Sequence, residues 1–367
     1  MTTTRAAVAV GPHEPFEQQT LEIDDPRAGE VQVRLVASGI CHTDAAVRDG
    51  VIPTPLPAVL GHEGAGVITR LGEGVEGLAV GDHVVLSANS CGTCRQCLSG
   101  RLAYCEELFA RNFAAHRPDG STSFTSPDGP VGSHFFGQSS FSELSNVARR
   151  SLVKVDPDID LALLAPLGCG MQTGAGAVLN ELKPGPGQAI AVFGTGAVGT
   201  AAIMAARLTG ATAIIAVDVV DARLELAREL GATHTINGRA EDVSSLLGEI
   251  THGAGIDYAL DTTGNPAVLR TAVDALAVRG TAALVGSSRS GTEVALEIGE
   301  SLNKGWTFKT IIQGSSVPQV FIPALIDLWR QGRFPFDRLI TRYPVAEINE
   351  AFEESERGAV IKPVIVY

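Results

Sequence analysis

The stretch AIAVFGTGAVGTAAIMAARL, residues 189–208, decides the fold. Ala189 to Phe193 is a continuous apolar run of strand length, and Gly199 to Leu208 is a run of small and apolar residues of helix length. Between them, Gly194-Thr195-Gly196-Ala197-Val198-Gly199 spells Gly-x-Gly-x-x-Gly. In that spacing the first glycine permits a tight turn, the second lets the main chain approach a pyrophosphate, and the third lets helix and strand pack closely. The helix N-terminus adds N–H donors and the positive end of a dipole. A second strand is expected at Ala213 to Val217, and Asp218 at its end lies nineteen residues beyond Gly199, where a carboxylate can bind both ribose hydroxyls. Strand, glycine turn, helix, strand and acid in this order predict a dinucleotide-binding unit rather than a glycine turn beside a capping Asp. A 2′-phosphate next to Asp218 would meet a like charge, repelling it by about 4 kcal/mol at ~4 Å and an effective dielectric of ~20. NAD is therefore expected over NADP.

Outward from this unit, Asp221 can cap a helix that ends at Gly231. Further strands are expected at Thr233 to Ile236, Ile256 to Leu260, Thr281 to Val285 and Thr307 to Ile312. Six strands with helical crossovers make a doubly wound parallel sheet, so the fold class is α/β. Before Gly170 the texture differs: short alternating runs such as Val31 to Val36, Gly66 to Thr69 and His83 to Leu86, broken by Gly and Pro, fit a β-rich barrel or sandwich. The tail carries helices at Ile322 to Arg330 and Ile348 to Glu356 and a terminal strand, and is expected to pack back on the first region. Glu106 to Gln138, rich in Gly, Ser, Pro and Phe, reads as a long surface loop.

At roughly 150 residues per domain, 367 residues predict two or three domains. With 45% apolar and 19% charged residues the chain is globular rather than disordered, collagenous or coiled-coil. A net charge of −13 excludes the cationic footprint of a nucleic-acid or anionic-membrane binder and leaves a small molecule as the expected partner. No run approaches the ~20 apolar residues of a bilayer span, and Ala6 to Val10 is too short for a signal peptide, so a cytoplasmic location is expected.

In such a compartment the six cysteines point to metal rather than disulfides. Cys91, Cys94, Cys97 and Cys105 form C-x₂-C-x₂-C-x₇-C, and four thiolates satisfy a tetrahedral zinc with no open position, the structural kind of site. Cys41, His62 and Cys169 stand apart along the chain. Two thiolates and an imidazole would leave a fourth position open for water or substrate. Spacing alone does not show that they meet, and on spacing alone two core cysteines and a satisfied loop histidine are the more ordinary reading.

Taken together, Gly61-His62-Glu63, the four-cysteine lobe and Gly-Thr-Gly-Ala-Val-Gly resemble the zinc-dependent medium-chain alcohol dehydrogenases over essentially the whole chain. The stretches CHTDAAVRDG, PLPAVLGHEGAGV, ARNF, FFGQSSF, PLGCGMQTGAGAVLN and QGRFPFD look most like the bacterial aryl-alcohol (benzyl alcohol) dehydrogenases. The resemblance implies a GroES-like catalytic domain from 1–171, carrying a structural zinc lobe at 88–108, a Rossmann domain over 172–311, and a return to the catalytic domain over 312–367. It implies two zinc ions, with Cys41, His62 and Cys169 holding the catalytic one. Asp44 would orient His62, Glu63 would be an acid able to approach the metal, and Thr43 would take the substrate proton. On the cofactor side it implies Thr173 toward the nicotinamide, Val285 among the cofactor contacts, and Gly194, Gly196, Ala197, Val198 and Gly199 around the pyrophosphate. His42 and Lys362 would be cations against that pyrophosphate, and Asp218 and Arg223 would lie at the adenosine ribose. One position departs from many relatives: five residues after Cys41, where a relay histidine often stands, this chain has Ala46.

The resemblance implies reversible oxidation of a primary, benzyl-type alcohol to its aldehyde by a homodimer or homotetramer. A metal is chemically needed. Zinc lowers the pKa of bound water from about 15.7 to about 7, on the order of 12 kcal/mol, whereas a positioned base supplies about 3 to 5 kcal/mol. Two other readings are carried forward, a thiol-dependent (glutathione or mycothiol) formaldehyde dehydrogenase and a non-enzymatic NAD- or zinc-sensing protein.

Overall fold

In a computed structural model, which describes residues 2–367, the glycine motif leaves the end of one strand of a six-stranded sheet. Its strands are β11 (Ala189–Phe193), β12 (Ala213–Asp218), β13 (His234–Asn237), β14 (Ile256–Asp261), β15 (Leu276–Leu284) and β16 (Thr307–Thr310), following ten earlier strands described below. Every pairing is parallel, in the order β13-β12-β11-β14-β15-β16. This is the doubly wound Rossmann arrangement. Register sets Phe193 beside Val217 and Asp261, so Gly194, Asp218 and Asp261 gather at the C-terminal edge of the central strands. Gly194 has φ +86°, and a Cβ on Gly199 would lie 1.8 Å from the Gly194 carbonyl oxygen, so the turn tolerates no side chain at either residue. The motif helix is Ala197–Thr209, starting two residues before the expected position because Ala197 and Val198 are already helical. Val220, not Asp221, caps the following helix; Asp221 is its first residue, and its carboxylate accepts from the Asn237 side chain.

The first region is built mainly of β-strands in two sheets, with short helices between them. One holds β1 (Thr2–Ala9), β2 (Glu17–Ile23), β4 (Ala58–Val59), β7 (Phe124–Ser126) and β8 (Gly129–Val131), in the order β4-β1-β2-β7-β8. The other runs β10-β6-β5-β3-β18-β17, with β9 also paired to β3. Its strands are β3 (Glu30–Gly39), β5 (Gly64–Leu71), β6 (His83–Leu86), β9 (Leu144–Ala148), β10 (Leu152–Lys154), β17 (Ile340–Pro344) and β18 (Lys362–Val366). This curled sheet is the GroES-like part. Alternation decides which face is buried: on β3, Val31, Val33 and Leu35 join Ile68, Val84 and Leu86 in one core.

Contacts divide the chain into two compact units. The first runs to Cys169 and adds Val317–Ile326 and Asp337–Tyr367; the second is Gly170–Ser316 with Asp327–Phe336. Residues 313–316 go with the parallel sheet because Ser316 donates to Gln172 and the Gly314 carbonyl accepts from Asn180. Trp329 packs on Phe336 at 6.0 Å, which holds the turn between them in the same unit. The helix before that turn is longer than expected, Pro318–Arg330, since Pro318 suits a first helical turn.

Glu106–Gln138 is not a surface loop. It supplies β7, β8 and a helix at Leu108–Asn112, and buries Phe124, Val131, Phe135 and Phe136. Arg117, 3% exposed, fastens it by donating to Glu30 at 2.6 and 3.0 Å, to both Asp24 oxygens at 2.9 Å and to the Thr122 carbonyl. Composition did not reveal this because the segment's apolar residues are spaced by polar ones whose partners lie some ninety residues away. Burial alone would raise the Glu30 carboxyl, but His134 and Arg117 together hold it well below the usual carboxylate range.

A depressed carboxylate stabilises the fold above its unfolded pKa of about 4.3, and that contribution is lost as pH falls toward the folded value. Arg117→Ala leaves Glu30 to His134 and Asp24 to Arg27, and the loss of its charged hydrogen bonds should cost about 1–3 kcal/mol in urea denaturation at pH 7. The gap to wild type should be smaller at pH 4; a gap that does not narrow would contradict the role given to Glu30.

Candidate active site

Cys41 begins the site as the N-cap of a short helix, His42–Arg48. Three residues on, Asp44 turns its carboxylate back to accept from the Cys41 N–H at 3.1 Å, closing a capping box. The other oxygen of Asp44 accepts from the Gly61 N–H at 3.1 Å and from His62 Nδ1 at 2.9 Å. Asp44 and His62 are both 0% exposed. A carboxylate only accepts, so the proton of His62 resides on Nδ1 and the lone pair on Nε2. That Nε2 is buried and has no hydrogen-bond partner among the described residues.

The orphaned nitrogen faces a cluster. Cys169 follows the 3₁₀ turn Ala165–Gly168, and one donor atom each of Cys41, His62, Glu63 and Cys169 lies within 4.8 Å of the others. The Cys169 thiol, hydrogen-bonded to Cys41, lowers the Cys41 pKa well below the ordinary thiol value, while that contact and burial raise Cys169. Burial opposes protonation of His62, but Asp44 and Cys41 outweigh it and raise the imidazole well above its ordinary range while no cation is bound, so a metal at Nε2 would take the place of that proton. Soft thiolates and an imidazole with a free lone pair are the donor set of a divalent zinc, and such an ion would satisfy Nε2 and both sulfurs at once. Thr43 lies beside the cluster, its hydroxyl 3.8 Å from the Cys41 sulfur.

Glu63, whose carboxylate lies in the cluster, is paired with Lys362. Lys362 is 2% exposed and does not present a cation to solvent. Its ammonium donates to both Glu63 carboxylate oxygens, at 2.9 and 3.0 Å, and to the Ile40 carbonyl at 2.9 Å. Burial raises Glu63 to about 7 against the pull of Lys362. The reason is topological: β18 pairs with β3 beside Gly39 and carries Lys362 into the interior next to the residue after His62. His42, in contrast, is exposed at the start of its helix, and Ala46 is buried on the same helix.

The second cysteine cluster is self-contained. Cys91, Cys94, Cys97 and Cys105 bring their sulfurs within 4.8 Å of one another. Backbone N–H groups of Thr93 and Cys94 point at the Cys91 sulfur and bring that thiol down to about 6, whereas burial pushes Cys97 up to about 12. A bound cation removes the conflict by holding all four as thiolates, so these residues also fit zinc.

On the parallel sheet, Asp218 is held by four protein donors. Oδ2 accepts from the Thr195 N–H at 2.6 Å and the Thr195 hydroxyl at 2.8 Å; Oδ1 accepts from the Val219 and Val220 N–H groups at 2.7 and 3.1 Å. Arg223 lies near the start of the next helix with its buried Nε bonded to no acceptor among the described residues. Val285 follows β15, its N–H donating to the Asp261 carbonyl. Thr173 is on the helix Gly170–Gly176, which packs against the motif helix so closely that a Cβ on Gly174 would meet the Val198 carbonyl at 1.9 Å.

Sequence reasoning missed three contributors. Thr195, an unspecified position of the motif, fixes Asp218. Gln138 donates to the His62 and Ser87 carbonyls and accepts from the Gly64 N–H. Phe135 and Phe136 pack on the His62 ring. The paired phenylalanines before Gly137 were a visible signal; nothing in the sequence marks Thr195 or Gln138.

Comparison with known proteins agrees with this geometry. A zinc-binding dehydrogenase family matches residues 197–330, and an alcohol dehydrogenase GroES-like domain matches residues 27–157. The geraniol dehydrogenase of Castellaniella defragrans is 44% identical over 355 residues, covering 96% of this chain and 95% of that protein. The structure of an alcohol dehydrogenase zinc-binding domain protein from Burkholderia ambifaria superposes with a TM-score of 0.97 at 50% identity, covering 100% of this chain and 99% of that one. The benzyl alcohol dehydrogenase of Acinetobacter calcoaceticus superposes with a TM-score of 0.96 at 46% identity, with the same coverage.

Proposed function

The chain belongs to the zinc-dependent alcohol dehydrogenase family, and from that premise we propose that it oxidises a primary, benzyl-type alcohol to the aldehyde with NAD. The observation that carries the aromatic preference is the ring cluster at His62. Phe136 stacks on the imidazole at 4.4 Å, and Phe113 meets Phe136 edge-on at 5.0 Å with Phe109 stacked behind it at 5.1 Å. A flat apolar substrate gains most from such rings through edge and offset contacts. The names of two relatives, a benzyl alcohol and a geraniol dehydrogenase, fit an alcohol whose carbinol carbon adjoins an unsaturated one.

When bound, zinc supplies a Lewis acid that makes an alcohol hydroxyl acidic at neutral pH, and NAD supplies the hydride acceptor. In our reading Cys41, His62 and Cys169 hold that zinc, and Cys91, Cys94, Cys97 and Cys105 hold a second, structural one. Asp44 would hold the proton of metal-bound His62 on Nδ1 and so leave Nε2 as the ligand atom. Thr43 accepts the hydroxyl proton. With Ala46 buried on that helix, no side chain at its position could continue a relay beyond Thr43, and water would carry the proton onward. Lys362 pairs with Glu63, and in that pairing it would balance a carboxylate that could otherwise compete for the metal. The first structural unit would act as the catalytic domain and the second as the NAD-binding domain, with Gly194 to Gly199 around the pyrophosphate, Thr173 toward the nicotinamide, Val285 among the cofactor contacts, and Asp218 and Arg223 at the adenosine ribose. Exposed His42 keeps its expected place as a cation for the phosphates.

A homo-oligomer is proposed through the β16 edge of the parallel sheet. This strand has one partner, β15, and near it the chain exposes Ile298 by 82%, Leu302 by 79% and Val278 by 69%. An unpaired edge beside exposed apolar side chains invites pairing with a second copy.

Three measurements test these readings. A steady-state panel of alcohols with NAD should give benzyl alcohol a higher kcat/KM than short aliphatic alcohols, with no requirement for added glutathione or mycothiol, and Cys169→Ala should abolish turnover. Preference for aliphatic alcohols or thiol dependence would overturn the substrate assignment. Asp218→Ala should raise the NADP to NAD ratio of kcat/KM at least tenfold, the ratio lost if about 1.4 kcal/mol of charge repulsion is removed; an unchanged ratio would take Asp218 out of the ribose site. In sedimentation, wild type should run as a dimer or tetramer and Leu302→Glu as a smaller species; a wild-type monomer would contradict the edge assignment.

A further inference from the structure

The chain around Phe136 is held in a conformation that L-residues avoid. His134 has φ 62° and ψ 22°, Phe136 has φ 54° and ψ 28°, and Ser139 has φ 51°. A bulky residue in the left-handed region is unfavourable and persists only where its surroundings over-determine it. Here they do. His134 is pinned between Ser133 and Glu30, and the Phe136 carbonyl accepts from the Ser151 hydroxyl at 3.2 Å. Gln138 is clamped to the backbone on both sides of Glu63, and Ser139 donates to the Val59 carbonyl at 2.7 Å. The outcome of this enforced geometry is one contact: the Phe136 ring lies 4.4 Å from the His62 imidazole at an interplanar angle of 27°, while Phe135 meets the same imidazole edge-on at 5.7 Å and 82°.

Asp44 alone does not fix the imidazole. A single hydrogen bond to Nδ1 restrains one atom and leaves the ring plane free to rock, which would swing Nε2 off its line toward Cys41 and Cys169. A phenyl face against the imidazole removes that freedom. It also presents its negative π face to a ring that becomes more positive when Nε2 binds a cation. We infer that Phe136 is a positioning residue for the metal centre, its strained backbone serving to stack its ring on His62 and hold Nε2 in line with Cys41 and Cys169. The inference rests on the reading of Cys41, His62 and Cys169 as metal ligands.

The test is zinc release from the full-length protein to a chromogenic chelator, with no alcohol or NAD present. The release phase missing in Cys169→Ala is that of the Cys41, His62 and Cys169 centre, and the remaining phase, from the four-cysteine lobe, reports an intact fold. Phe136→Leu and Phe136→Met keep an apolar side chain of similar bulk without the π face. In both, the first phase should be about tenfold faster or more, the lower end of what outer partners contribute to metal affinity, with the lobe phase unchanged. Phe136→Tyr, which keeps the ring, should release zinc as wild type does. In cobalt-substituted protein the visible bands should shift in the leucine and methionine variants and not in the tyrosine variant. Wild-type release rates and spectra in leucine or methionine variants that retain the lobe phase would overturn the inference while leaving the ligand assignment standing. Identical release phases in Cys169→Ala and wild type would overturn both.

Discussion

The structure depends on what the Asp44 carboxylate ties together. It is fully buried, and an unpaired carboxylate there would be costly, so its two oxygens must be satisfied by the protein. They are satisfied by the N–H groups of Cys41 and Gly61 and by His62 Nδ1. One side chain thereby caps the helix that presents Cys41, fixes the bend before His62 and selects the imidazole tautomer that leaves Nε2 free. The curled sheet supplies the rest: β3 ends just before Cys41, β5 begins just after Glu63, and β18 lies along β3 with Lys362 facing Glu63. Residues far apart in the chain meet because they occupy neighbouring ends of paired strands.

The two zinc-compatible clusters show two different uses of cysteine. In the lobe, four residues within fifteen positions fold around their own sulfurs, with backbone N–H groups of Thr93, Cys94 and Cys97 aimed at them. Such a site closes locally and leaves no vertex open. The Cys41, His62 and Cys169 cluster is assembled from three distant segments, and its possible fourth ligand, Glu63, is drawn off by a lysine. Holding Glu63 with Lys362 is a buried charge pair, an arrangement with little net stabilisation. In the proposed reading it keeps that carboxylate from taking the position a substrate would need.

Much of this was legible in the chain itself, for physical reasons that also mark the limits. Gly-Thr-Gly-Ala-Val-Gly could be read because each glycine answers a local steric demand, and the four-cysteine lobe because its ligands are near neighbours. The central strands β11, β12 and β14 were readable as short apolar runs, since both their faces are largely covered. Residues 106–138 could not be read, because Arg117 and His134 find their partners on Asp24 and Glu30. The pairing of Lys362 with Glu63 could not be read either, because it follows from β18 lying along β3. Thr195 and Gln138 act through side-chain to backbone bonds that leave no spacing pattern.

The central claim is that Cys41, His62 and Cys169 hold a metal ion with one vertex left open. Anomalous diffraction at the zinc edge from crystals of the metal-loaded protein tests it most directly. The account predicts two peaks per chain, one inside the four-cysteine lobe and one about 2.3 Å from the sulfurs of Cys41 and Cys169 and about 2.0–2.1 Å from His62 Nε2, with no fourth protein ligand. A lone peak in the lobe, or a second peak whose fourth ligand is Glu63 released from Lys362, would contradict it.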